Sequence, residues 1–453
     1  MGSSAPRVRR VVIMGAAGRD FHVFDTVYRD DPETLVVAFT ATQIPGIAGR
    51  RYPGALAGDR YPDGIPIRDE AELESICAEH AVDRVVFAYS DVSHAEVMHV
   101  ASRALACGAD FVLHGPASTT IRVPRPVIAV CAARTGCGKS QVTRWIASRA
   151  ARAGRRVAVL RHPMPYGDLV AQRVQRFAAP SDLVRARCTA EEREEYEPLI
   201  DAGHVVYAGV DYAAIAAQAA DEADLLLWDG GNNDFSFLAP DLSIALVDAL
   251  RPDQVDTHHP GEAVVRMADV VIVAKADVAP PADVERALAA VARVNARARR
   301  IRGASPVRLD DATAVRGRRV LVVEDGPTLT HGGMDHGAGA VAARAAGAAE
   351  LVDPRPHASP PIAAAFARYP HIGPVLPALG YGPEQLAALR ATIEATPAEV
   401  VVSATPCDLA ALIAPSRPVV RARYDYAELD DPGLGAIVDA FLARHPPGPG
   451  MAG

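Results

Sequence analysis

The sequence predicts an α/β chain: parallel-sheet domains in series, closed by a further α/β segment. Three observations carry this. Short apolar runs alternate with helical stripes from residue 8 onward, the pattern of a sheet wound with helices on both faces. One such run, Val127–Ala132, feeds a glycine-rich turn that opens a helix. Between the first alternations and that run lies Arg122-Val123-Pro124-Arg125-Pro126, whose two prolines read as a linker.

The first unit spans residues 8–123 and reads as a Rossmann-like parallel-sheet domain. Its strands are expected at Val8–Met14, Leu35–Phe39, Arg84–Tyr89 and Asp110–Leu113. Val97, Val100, Ala101 and Leu105 form a helical stripe that Gly108 ends. The first turn, Gly15-Ala16-Ala17-Gly18-Arg19-Asp20, lacks the full dinucleotide pattern, and Thr40 and Thr42 stand where an acid would follow the second strand. A dinucleotide is therefore not expected. A small phosphorylated anion is compatible with the turn, with Arg19, His22, Arg50 and Arg51 as contacts.

The second unit spans 124–303. After Val127–Ala132 and the turn, Val142, Ile146 and Ala150 line one face of a helix that Gly154 stops, and strands follow at 156–160, 224–229 and 269–274. Further strand candidates at 318–325, 399–405 and 418–424 make a C-terminal α/β extension over 304–440.

The turn reads Ala133-Arg134-Thr135-Gly136-Cys137-Gly138-Lys139-Ser140, which matches the phosphate-loop pattern except for Ala133 at the first glycine. Glycines let backbone N–H groups face phosphates, and the helix N-terminus adds a favourable partial charge. Thr135, Gly136, Cys137, Gly138, Lys139, Ser140 and Gln141 are the expected nucleotide contacts, with Lys139 on the β/γ-phosphates and Ser140 on Mg²⁺. The charge usage supports this: among 47 basic residues only Lys139 and Lys275 are lysine. Arginine is a wide planar fork and lysine a compact point donor on a thin stem, so a chain that writes nearly every cation as Arg keeps Lys where the fork does not fit. The unit is thus expected to be a phosphate-loop NTPase domain.

Three more residues belong to this reading. Asp229 ends an apolar strand, where a Mg²⁺-holding acid belongs. Arg134 stands where one branch of these loops carries an extra signature lysine, and could stabilise the transferring phosphoryl group in its own subunit or across a homodimer. Lys275 and Asp277, in Ala274-Lys275-Ala276-Asp277, are similar to the guanine-reading [NT]-K-x-D string but lack its Asn; Asn232 stands where the GTPase D-x-x-G needs glycine. Both departures favour ATP. The competing class is a nucleotide-switched GTPase, metallochaperone-like or regulatory.

For a second substrate, helical spacing over 168–177 puts Asp168, Gln172, Gln175 and Arg176 on one face with Arg173 at its edge. With Arg161 and His162 these make a cationic surface suited to phosphate or carboxylate. The segment 324–334 is another candidate contact, through Thr328, Thr330 or His331.

Composition excludes other classes. A net charge of −8, a pI near 6.0 and 5% aromatic residues argue against a nucleic-acid partner. The six cysteines show no C-x-x-C pair, which suits neither zinc nor a disulfide framework and fits a reducing cytoplasm. No segment reaches the ~18 apolar residues of a membrane span.

The strings "MGAAGRDFHVF", "ATQIPGIAGRRYP", "FAYSDVSH", "RTGCGKSQ", "RHPMPYGDL", "WDGGNNDF", "EDGPTLTHGGM" and "YPHIGPVLPALGYG" together resemble the cyclic 2,3-diphosphoglycerate synthetase family, from about residue 8 to about 425. That resemblance implies a cytoplasmic, Mg²⁺- and ATP-dependent enzyme that closes 2,3-diphosphoglycerate into an intramolecular phosphoanhydride with release of ADP and phosphate. With that chemistry, the residues read above take their roles: substrate contacts at Arg161, His162, Arg173, Arg176, Arg19 and His22, and phosphoryl transfer at Lys139, Arg134 and Asp229. Family members commonly carry Asn where Ala274 stands.

Overall fold

The computed structural model describes residues 7–16, 18–41, 49–162, 167–330, 334–405 and 407–447. The His331 expectation and the side chain of Thr328 lie outside what is described. The fold is mixed α/β with parallel sheets, in two compact units: residues 1–178, 204–304 and 428–453 form the first, and 179–203 with 305–427 the second.

In the first unit, six strands make the N-terminal sheet, in the order 51–65–34–9–84–110 by first residue. The strand Arg9–Met14 sits inside it, parallel to Thr34–Ala41 on one side and Arg84–Phe87 on the other. Consecutive strands leave it in opposite directions, so the turn at Gly15 opens at the point where the winding reverses, and ligands favour such crevices.

The same unit holds a nine-stranded sheet, ordered 175–205–157–225–127–242–270–299–427 by first residue. Val127–Ala132, all six residues buried, lies between the parallel strands Leu225–Asp229 and Leu242–Asp248. Continuous apolar runs such as these belong to strands covered on both faces. A two-strand antiparallel ladder, His258–His259 against Val92–Ser93, ties this sheet's loops to those of the N-terminal domain.

The structure corrects the helix expected over 168–177. Residues 169–172 are turns, and Gln175–Phe177 is a strand antiparallel to Val205–Ala208. The amides of Val210 and Asp211 reach the carbonyls of Gln172 and Arg173, and a Cβ on Gly209 would meet the Gln172 carbonyl at 2.6 Å. That backbone contact holds the segment extended, against its helical spacing.

In the second unit the strands run 307–419–400–319–350, with 376 also beside 319. Glu324, buried at the end of Arg319–Asp325, accepts from the amides of Gly339 and Ala340 at 3.3 and 2.8 Å and so caps the helix Ala338–Ala345. Among the described residues no helix is long and apolar enough to cross a membrane.

Burial sets a pH dependence in the first unit. His22 is buried and donates from Nε2 to the Thr119 carbonyl at 2.7 Å, and burial lowers its pKa to about 4. Its neutral form is the one the fold accepts, so its contribution is full above the unfolded pKa near 6.5 and is lost as pH falls toward 4. Asp25, pushed up to about 7 by burial, acts in the opposite direction, so a substitution is needed to separate them. Between pH 7 and pH 5 the unfolding free energy of the wild type should fall by ~2 kcal/mol relative to His22→Gln. Denaturant titrations of both proteins at the two pH values measure the difference; parallel pH profiles would contradict it.

Candidate active site

The phosphate-loop region is built from the strand upward. The amide of Ala133 continues the ladder to the Leu246 carbonyl at 2.8 Å, and its methyl group joins the core. Its carbonyl accepts from Asn233 Nδ2 at 2.9 Å, and a Cβ placed on Gly261 would come within 2.0 Å of that oxygen. Gly261 on the facing segment thus leaves room for the Ala133 carbonyl, while Ala133 does not adopt the positive φ that favours glycine. Gly136 and Gly138, at φ +81° and +99°, turn the chain as only glycine does readily. No side chain caps the helix Lys139–Arg152 that follows, so its first amides are open to an anion.

Charge converges on one carboxylate at the head of that helix. The parallel register sets Arg161 directly opposite Asp229. Arg161 Nη1 donates to Asp229 Oδ2 and to Ser140 Oγ, the latter at 3.0 Å. Arg161 is 5% exposed and Asp229 0%. The other carboxylate oxygen, Oδ1, is buried with no hydrogen-bond partner among the described residues. Lys139 donates to the Asn232 carbonyl; burial lowers its pKa, with the Asp229 charge opposing. Ser140 and Asp229, the residues expected to hold Mg²⁺, are therefore together. A hydroxyl beside a buried carboxylate oxygen without a partner is a donor set that suits a hard cation.

Arg134 does not stand free over the loop. Its Nε donates to Asp91 at 2.7 Å, and its Nη1 donates to Gln254 and lies 3.4 Å from His258 Nδ1. Burial alone would raise the Asp91 carboxyl, but hydrogen bonding from Thr135 and the Arg134 charge outweigh it and lower its pKa. On the other flank, Arg251 donates to the Thr135 carbonyl at 2.8 Å and to Asp248 Oδ2 at 3.1 Å. Lys275 donates to the same Asp248 oxygen at 2.7 Å. Lys275 thus stands beside the loop, engaged with Asp248, while Asp277 is exposed. Asp91, Asn232 and Lys275 all have positive φ; such strained backbone concentrates at functional sites. Asp91, Asn233, Asp248, Arg251 and Gln254 were not singled out from the sequence. Polar residues next to strand ends, and an overlooked strand at 242–248, were the available signals.

The N-terminal domain adds a second wall. Its Gly18 and the Asp229 loop's Gly231 both abut the His162 ring: a Cβ would come within 2.0 Å of it at 18 and 2.9 Å at 231. Arg19 joins the loops of the two sheets, donating to Asp234 at 2.7 Å and the His114 carbonyl at 3.0 Å, with its guanidinium 4.4 Å from the centroid of Phe235.

Four of the expected anion contacts have partners within the chain. Arg19 is buried in its Asp234 pair. His22 stacks on Phe237 at 4.0 Å and is neutral in its buried pocket. Arg173 pairs with Asp211 at 2.8 Å and is 60% exposed. Arg176 pairs with Glu222, which ends the helix Tyr212–Glu222 at the sheet edge opposite the phosphate loop. The reason is common to all: each was read as a bare cation, and the fold supplies a carboxylate or an apolar cover from distant sequence. Arg50 and Arg51 likewise donate to backbone carbonyls, of Gly167 and Asp63.

A parallel sheet, a glycine turn heading a helix with Lys139 and Ser140, and a strand-end Asp229 beside them define a phosphate-loop protein. The chain is 53% identical over 433 residues to the arginine synthetase ArcE of Thermococcus kodakarensis, covering 96% of this chain and 97% of that protein. It belongs to that protein's family, and is an enzyme of the synthetase type. That relative's name does not mention the cyclic diphosphoglycerate implied by the sequence strings. Among solved structures the chain is similar to LpxK of Aquifex aeolicus with ATP, at 14% identity and a TM-score of 0.40, covering 71% of this chain and 90% of that one. It is also similar to the hydrogenase maturation factor HypB of Archaeoglobus fulgidus, at 16% identity and a TM-score of 0.27, over 40% and 81%. No family model matches.

Two outcomes follow from this geometry. Lys139→Ala should cost about 3–4 kcal/mol of transition-state stabilisation, the scale of losing a preorganised donor, read as kcat/KM for nucleotide turnover. Gly18→Ala should drive the new methyl into the His162 ring and lower kcat/KM, and His162→Ala in that background should restore the melting temperature; no change on Gly18→Ala would contradict the contact.

Proposed function

We propose that this protein is an ATP-dependent synthetase that forms arginine by phosphoryl activation of a ureido oxygen. The observation that carries nucleotide use is the Lys139, Ser140, Asp229 and Arg161 cluster heading the helix Lys139–Arg152. The product class is proposed from the family relative.

The chemistry that makes a guanidinium from a urea is phosphoryl transfer followed by displacement. The neutral ureido oxygen attacks the γ-phosphorus, and the bond to the ADP oxygen breaks. Ammonia then attacks the activated carbon, the carbon–oxygen bond breaks and hydrogen phosphate leaves with one of the ammonia protons, while the guanidinium keeps the added nitrogen, its other two protons and the positive charge. Lys139 and the open helix amides would hold the phosphates, so the enzyme's work is positioning and charge neutralisation. Mg²⁺, held by Ser140 and Asp229, would offset phosphate charge when bound. His162, between Gly18 and Gly231, would form part of the wall against which the acceptor is positioned.

A second reading, closure of 2,3-diphosphoglycerate to its cyclic anhydride, is favoured by the set of sequence strings. That substrate is strongly anionic and asks for surplus cations. Of those expected for it, Arg19, Arg173 and Arg176 carry carboxylate partners and His22 is held neutral. An amino acid with a neutral ureido group makes no such demand, which favours the first reading. A nucleotide-switched GTPase would instead read the base through Lys275 and Asp277.

The test is incubation with Mg-ATP or Mg-GTP and either the δ-ureido analogue of arginine plus ammonium, or 2,3-diphosphoglycerate. Phosphorus NMR and amino-acid analysis follow the products. Arginine with equal ADP and phosphate is expected; a cyclic anhydride, or GTP hydrolysis indifferent to either acceptor, would overturn the proposal.

A further inference from the structure

The two residues expected to hold a divalent cation are already bridged by a cation of the chain itself. Arg161 Nη1 donates to both Asp229 and Ser140. The sheet fixes this arrangement, because Arg161 and Asp229 are register partners on adjacent parallel strands, and the Tyr212 hydroxyl donates to the Arg161 carbonyl at 2.6 Å. Asp229, Arg161 and Lys139 are all buried.

The charge at this point decides when a metal can enter. Lys139 and Arg161 bring two positive charges to the single carboxylate of Asp229. A divalent ion arriving alone would face net positive charge in a place with little water to screen it, where like charges repel far more strongly than in bulk water. The same ion arriving on a polyphosphate brings its own neutralisation, and the phosphates offer Arg161 acceptors to exchange for Asp229 and Ser140.

We infer that Arg161 holds the metal site closed in the nucleotide-free enzyme, so that Mg²⁺ enters with the nucleotide and displaces the guanidinium toward the phosphates. This rests on the nucleotide-use reading of the same loop, but not on the identity of the acceptor. It makes Arg161 a device that couples metal entry to nucleotide entry, and it denies the site to free divalent ions between turnovers.

The experiment titrates Mn²⁺ into the full-length protein and follows free Mn²⁺ by electron paramagnetic resonance, with no acceptor and no turnover. Nucleotide-free wild type should bind Mn²⁺ weakly, and ADP should tighten binding at least tenfold. Arg161→Met should bind Mn²⁺ at least tenfold more tightly than wild type without nucleotide, and adding Asp229→Asn should abolish that gain. Arg161→Lys, which keeps the charge, should resemble wild type. Tight Mn²⁺ binding by nucleotide-free wild type overturns the inference even if Arg161→Met does not fold; so does equal binding by wild type and Arg161→Met. A failure to make arginine leaves all of these readouts intact, so the two proposals fail separately.

Discussion

The ion pair between Arg161 and Asp229 is the contact on which the rest of the site depends. Taking two charges out of water costs several kcal/mol per ion, and their mutual attraction offsets this only with good geometry and further hydrogen bonds. Here the geometry comes from the sheet register, and the further bonds come from Ser140. The unpartnered Oδ1 of Asp229 is the part left unsatisfied. A buried polar atom without a partner carries a desolvation penalty of ~1–3 kcal/mol, which a cation or water held at this oxygen would offset. Structure and function meet in that one oxygen.

Around this pair the loops are held from both sides by acids. Asp91 of the N-terminal domain takes Arg134, Asp234 takes Arg19, and Asp248 takes both Arg251 and Lys275. Two of these pairs join the N-terminal sheet's loops to the phosphate-loop sheet within one compact unit. At the head of the first N-terminal helix, Asp20 accepts from the amides of Gly18 and Phe21 at 3.0 and 2.7 Å, and Gly18 of the N-terminal domain lies against the His162 ring. The domain completes a wall of the neighbouring site.

This arrangement also explains the substitution of alanine for the first loop glycine. Ala133 does not take the positive φ that favours glycine, and its methyl group lies in the core. Gly261 leaves room for its carbonyl, and Asn233 secures that carbonyl. The two lysines have related reasons. Lys139 is buried and donates to the Asn232 carbonyl, and Lys275 reaches Asp248 beside Arg251 from a left-handed backbone position. A second guanidinium fork would have to share that carboxylate with Arg251.

Sequence alone determined what depends on local order: the apolar runs that became strands, the turn glycines, and the hydroxyl and lysine at a helix head. These follow from period and backbone sterics, which act over a few residues. It did not determine the partner of any charged side chain. Arg173 and Arg176 read as free cations because Asp211 and Glu222 lie 38 and 46 residues away. Likewise, the helical spacing over 168–177 gave way to backbone contacts from Gly209 and its neighbours. Which arginine faces a ligand and which is already neutralised is set by folding distant carboxylates into hydrogen-bond range, and only the tertiary structure decides it.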